Sequence, residues 1–211
     1  MTLLQLAFDL MDSAQAAELL ARVGPAIDLV EAGTPLIKRE GIGALARLRR
    51  AAPGKLLVAD LKTMDAGAYE AALAFDAGAD ITTVLGCASD ATIRAVVAVA
   101  LERGRQVVAD LISISDKRTR ARELERLGVH YIGVHTGTDE GTAGEDPLST
   151  LASVRAAVTT PLVVAGGISL DNVGAILALD PAIVVVGSHI TRAADPVAAA
   201  IAFRAAIAKN P

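Results

Sequence analysis

Eight short runs of β-branched and apolar residues recur along the chain at a spacing of about 25 residues, and helical patterns fill nearly every interval between them. The runs are LLQLAFD, AIDLVEAG, KLLVADLK, DITTVLG, QVVADLI, HYIGVH, PLVVAGG and AIVVVGS. Strand, helix, strand in strict alternation predicts parallel βα units, because a parallel neighbour needs a crossover long enough to hold a helix. Eight such units, with no strand missing and no GxGxxG after the first, predict a (β/α)8 barrel, an α/β fold, rather than an open doubly wound sheet. The 211 residues suit one domain spanning 1–211, and no low-complexity linker divides them.

The helix ends carry the expected punctuation. Asp12 or Ser13 precedes AQAAELLARV, which Gly24 closes, and Ser89 precedes DATIRAVVAVALER, which Gly104 closes. The AYEAALAFDAG and KRTRARELERLG patterns end at Gly78 and Gly128. KRTRARELERLG sets charges on one face and Ala and Leu on the other, the pattern of a surface helix.

Composition narrows the function classes. A chain 53% hydrophobic and 21% charged is too apolar for disorder and ordinary for an enzyme. A net charge of −4 without long basic runs gives nucleic acid little to bind. No apolar run approaches the roughly 20 residues of a membrane span, and the N-terminus reads as a strand without a basic leader. The single cysteine, Cys87, excludes an internal disulfide framework and suggests a reducing, cytoplasmic compartment. Cys87 itself reads as a small buried filler.

In a barrel of this kind chemistry belongs at the C-terminal ends of the strands. Those ends carry Asp9 on the first strand, Glu31 on the second, Asp60 and Lys62 on the third, Asp110 on the fifth and His135 on the sixth. So many polar groups converging on one mouth are hard to explain as packing. Glu31 and Asp60 are hard oxygen ligands on neighbouring strands, suited to Mg²⁺, which takes one or two carboxylates and completes its shell with water and substrate. Lys62 supplies positive charge where an oxyanion could develop. Asp65, in the loop beyond, could anchor that lysine or the substrate. His135 is the natural general acid or base. His130 falls on the opposite strand face and reads as structural; His189, just past the eighth strand, stays open. Gly166-Gly167 and Gly187-Ser188 close strands seven and eight, where barrels hold phosphate on backbone amides. The substrate expected is a small phosphorylated molecule.

DLKTMDAG, VEAGTPLIKREG, DAGADITTVLG, DLISISDK, HTGTDE, VAGGI and AADP together resemble the 3-hexulose-6-phosphate synthases of the orotidine-5′-monophosphate decarboxylase suprafamily, from Asp9 to Pro196. The Asp-x-Lys-x-x-Asp core marks the suprafamily alone; its combination with EAGTPLIK and HTGTD is more specific. The resemblance implies Mg²⁺-dependent aldol addition of formaldehyde to D-ribulose 5-phosphate through a 1,2-enediolate. Glu31 and Asp60 would hold the metal, Lys62 would balance charge and His135 would move the C1 proton. It also implies a homodimer with shared sites, into which Asp65 reaches from the partner. Two positions depart from the related decarboxylases: Ser188 and Thr138 each stand where those have arginine. The rivals are a 3-keto-L-gulonate-6-phosphate decarboxylase, which shares the metal site, and a silent phosphosugar-binding barrel.

Overall fold

The computed structural model describes residues 1–137, 139 and 147–209. Thr138, singled out above, and most of the Gly-rich loop around it lie outside the described residues. The eight runs form β1 (Leu3–Phe8), β2 (Leu29–Ala32), β3 (Leu56–Thr63), β4 (Ile81–Leu85), β5 (Gln106–Asp110), β6 (Tyr131–His135), β7 (Leu162–Ala165) and β8 (Ile183–Val186). Each pairs in parallel with the next, and β8 returns to β1 with Leu3 opposite Ile183, closing the barrel.

Side chains alternate across the barrel wall. Leu4, Leu6 and Phe8 of β1 face the helical jacket in one large core, while Ala7 faces inward with Leu29, Val58, Ile81, Val108, Val163, Ile183 and Val185 in a second, narrower core. Two residues beyond several of these inward aliphatics, the same file reaches the open end and turns polar: Glu31 follows Leu29, Asp60 follows Val58, Thr83 follows Ile81 and Asp110 follows Val108. The barrel period thus carries apolar packing below and chemistry above.

Among the described residues the jacket comprises α1 (Ser13–Val23), α2 (Thr34–Glu40), α3 (Gly43–Ala51), α4 (Gly67–Asp76), α5 (Asp90–Glu102), α6 (Lys117–Arg126), α7 (Pro147–Arg155), α8 (Val173–Leu177), α9 (Ser188–Thr191) and α10 (Pro196–Ala208). One helix per strand is too simple an expectation. Gly41 at φ +71 divides the segment after β2 into α2 and α3, and a one-turn α9 precedes α10 after β8. Asp12, not Ser13, caps α1: its carboxylate accepts the Gln15 amide at 2.8 Å, and Gln15 accepts the Asp12 amide in return. Ser89 caps α5 by accepting from the Thr92 amide.

Candidate active site

The open end of the barrel holds a cavity of about 920 Å³. Asp9, Glu31, Asp60, Lys62, Asp110 and His135 all line it, as do the glycines at the ends of β7 and β8. Lys62 places its ammonium 2.8 and 2.9 Å from the two Asp60 oxygens and 3.2 Å from Asp110 Oδ2. Asp110 Oδ2 also meets His135 Nδ1 at 2.9 Å, while its Oδ1 accepts the Ile112 amide. Asp60, Lys62, Asp110 and His135 therefore form one continuous chain of contacts across β3, β5 and β6.

The electrostatics follow from burial and neighbours. Burial works against the Lys62 charge, but Asp60 and Asp110 outweigh it and hold the ammonium above its ordinary range. Burial likewise pushes Asp110 up, yet the His135 hydrogen bond and charge, with Lys62 behind them, leave it below the usual carboxylate value. An ionised Asp110 can only accept, so His135 Nδ1 carries the proton and Nε2 is the basic nitrogen.

Glu31 differs. Burial first, then the charges of Asp60 and Asp9, push its carboxyl from 4.5 up to about 8, only partly offset by the bond from Gln5 Nε2. Asp9 is raised for the same reasons, burial and then Asp60. Mutually repelling carboxylates at one mouth are short of a cation. Among the described residues no three His, Cys, Asp or Glu side chains are grouped as a metal site. The Glu31–Asp60 pair suits instead an ion that draws most of its shell from water and substrate, as Mg²⁺ does. Both Asp60 oxygens already take donors, Thr83 and Lys62 on Oδ1 and Thr34 and Lys62 on Oδ2.

Gly166 and Gly167 adopt φ +94 and +65. A Cβ at Gly166 would stand 2.0 Å from the Thr136 carbonyl oxygen, so only glycine lets β7 end this close to the residue after His135. Asn172 clamps the turn, donating to Gly167 O and accepting from Ser169 N, both at 2.9 Å. Ser188, His189 and Arg192 complete that side of the cavity.

Not every predicted residue gathers here. Asp65 is exposed beyond β3 and does not line its own chain's cavity. His130 precedes β6 at the other end of the barrel, where Nδ1 accepts the Val107 amide. Cys87 is exposed, not a buried filler: it sits in the turn after β4, where buried Gly86 and Ala88 on either side turn it outward. Gln5, Thr34, Thr83, Asn172 and Arg192 join the cavity lining without having stood out in the sequence. Gln5 and Thr83 occupy inward positions of β1 and β4, so the alternation of side chains could have found them.

Residues 2–203 match the Orotidine 5'-phosphate decarboxylase / HUMPS family. A 3-hexulose-6-phosphate synthase of Staphylococcus saprophyticus is 44% identical over 205 residues, covering 97% of this chain and 98% of that protein. The crystal structure of 3-hexulose-6-phosphate synthase from Salmonella typhimurium superposes with a TM-score of 0.97 at 39% identity, each chain covered completely. That of 3-keto-L-gulonate-6-phosphate decarboxylase from Vibrio cholerae superposes at 0.86 with 28% identity, covering 100% of this chain and 99% of that one. The chain belongs to the orotidine 5'-phosphate decarboxylase / HUMPS family.

Proposed function

We propose that this chain is a 3-hexulose-6-phosphate synthase, joining formaldehyde to D-ribulose 5-phosphate to give D-arabino-3-hexulose 6-phosphate. The observation that carries the reading is the Asp60–Lys62–Asp110–His135 chain of contacts, which sets a base and a charge-balancing ammonium side by side in a cavity of sugar-phosphate size. Identity supports it as well, being higher to the synthases than to the keto-gulonate decarboxylase.

Glu31 and Asp60 would hold Mg²⁺, which when bound polarises the substrate carbonyl. His135, oriented by Asp110, takes a proton from C1 on Nε2. Lys62 balances the negative charge left on the 1,2-enediolate. C1 then attacks the formaldehyde carbon; the new carbon–carbon bond forms as the C=O π pair moves to oxygen, which recovers the proton from His135. The phosphate rests on the amides near Gly166, Gly167, Gly187 and Ser188, away from the carboxylate floor. Formaldehyde carries no charge to pair, so a short neutral Thr138 suits the aldol reaction better than an arginine placed to direct protonation.

Asp65 acts in the site of a second copy. Its surroundings suit burial against a partner, since Met64 and Tyr69 beside it are 53% and 68% exposed and Leu73 lies one turn further along α4. The single cysteine fits a reducing cytoplasm, and among the described residues no helix is long and apolar enough to cross a membrane.

Purified protein should consume formaldehyde only with ribulose 5-phosphate present, lose that activity in EDTA and regain it with Mg²⁺ or Mn²⁺. Full activity in excess chelator removes the metal. A higher kcat/KM for decarboxylating 3-keto-L-gulonate 6-phosphate than for the aldol reaction overturns the synthase assignment in favour of the decarboxylase.

A further inference from the structure

Thr83 sits in the inward file of β4, 8% exposed, level with Asp60 and Lys62. Its hydroxyl donates to Asp60 Oδ1 at 2.8 Å and accepts the backbone N–H of Lys62 at 2.9 Å. The amide can only donate, which leaves the hydroxyl's own hydrogen for Asp60. One hydroxyl thus fixes the side chain of one residue and the backbone of the other.

That backbone is unusual. Lys62 has φ +49, a left-handed conformation that residues with a Cβ seldom adopt, and the β3–β4 register shifts between Ala59 and Thr63. The Lys62 amide is bound by a side chain of β4 in place of a ladder carbonyl. The kink brings the ammonium back to Asp60 on its own strand and across to Asp110. Neighbouring threonines do nothing comparable: Thr82 turns its hydroxyl to the Ala59 carbonyl, and the buried Thr63 hydroxyl has no partner among the described residues.

We infer that Thr83 is a positioning residue for the reaction, holding the left-handed turn that delivers Lys62 and aiming the Asp60 carboxylate at the same time. The inference rests on the synthase reading for its effect on catalysis, but the geometry can be tested without it. Partners that orient a functional carboxylate typically contribute roughly ten- to a hundredfold to affinity or activity. Thr83→Val keeps the shape and removes the hydroxyl; Thr83→Ser keeps the hydroxyl.

Steady-state kinetics should show kcat of Thr83→Val reduced roughly ten- to a hundredfold. The KM for ribulose 5-phosphate should stay within about threefold of wild type, because phosphate is held on the far side of the cavity. Thr83→Ser should return kcat to within about threefold. Amide hydrogen exchange at Lys62, read by NMR on substrate-free protein, should quicken at least about tenfold in Thr83→Val and stay slow in Thr83→Ser. If Val fails to fold, Thr83→Ala against Thr83→Ser makes the same comparison. Serine as impaired as valine or alanine, or a valine variant with unchanged kcat and Lys62 exchange, overturns the inference. A wild-type protein without aldol activity, but with Lys62 exchange that depends on the hydroxyl, refutes the synthase reading and leaves the positioning role standing.

Discussion

Glu31 has a donor in Gln5, and the neighbours that bear on it most strongly after burial are themselves anionic. Its carboxyl therefore keeps a proton in the folded state, up to about 8, over a range where the unfolded chain has already lost one at 4.5. The folded protein binds more protons across that window, so stability falls as pH rises through it. Chelated protein should show a melting temperature that drops between about pH 5 and pH 8, and Glu31→Gln should flatten the slope. A slope unchanged by the substitution would assign it to another group. At the candidate base, His135→Ala should slow C1 proton exchange of ribulose 5-phosphate in D₂O by about 10²–10⁴-fold while leaving phosphate affinity largely intact. Exchange at the wild-type rate would move the base elsewhere. Position along a strand is enough to find Glu31, Asp60, Asp110 and His135, since each ends or nearly ends a legible run. The route by which Lys62 reaches Asp60 is not legible. Alternation puts the two on one face, but the contact is made through a left-handed lysine and a shifted register, and no glycine marks the kink. Thr34 and Asn172 stay hidden for another reason: both act from beyond the strands, where no period applies.

At the scale of elements, punctuation is the readable part. Gly78, Gly104 and Gly128 take φ +101, +61 and +79, the left-handed positions that end α4, α5 and α6. What sequence does not reveal is how one element holds another across the fold. Glu125, on α6, accepts the Thr159 and Thr160 amides at 2.7 and 2.9 Å and both hydroxyls besides, tying the helix to the chain entering β7. Hydrogen bonds from the Thr160 amide and then from Thr159 hold this carboxyl down at about 2, against an ordinary 4.5. A lowered value means stability present above pH 4.5 and lost as pH falls toward 2. Glu125→Ala should cost about 1 kcal/mol in urea unfolding at pH 7, a modest figure because the group is partly exposed. The gap between variant and wild type should narrow on acidification; a gap independent of pH would mean that lost packing, not the charge, is responsible.

At the scale of the molecule, the proposed second copy is testable by mixing. Asp65→Ala and Lys62→Ala, each inactive alone, should recover partial activity after subunit exchange, because some hybrid pairs then contain one intact site. Verified exchange without recovery would return Asp65 to its own chain. The barrel also bears on how substrates would reach the site. Its lower interior is filled by Leu29, Val58, Ile81, Val108, Val163 and Ile183, with Leu3 and Tyr131 packed against them. That packing lies beneath the cavity at the mouth, which is the way in. Under the proposed synthase reaction both substrates and the longer product would share that opening, and the enediolate made from the sugar phosphate would have to exist before formaldehyde has a carbon to meet. If ribulose 5-phosphate enters first in that proposed reaction, hexulose phosphate should inhibit competitively against ribulose 5-phosphate and noncompetitively against formaldehyde. A molecule as small as formaldehyde has no need of a passage of its own, only of a doorway that the larger guest does not close behind it.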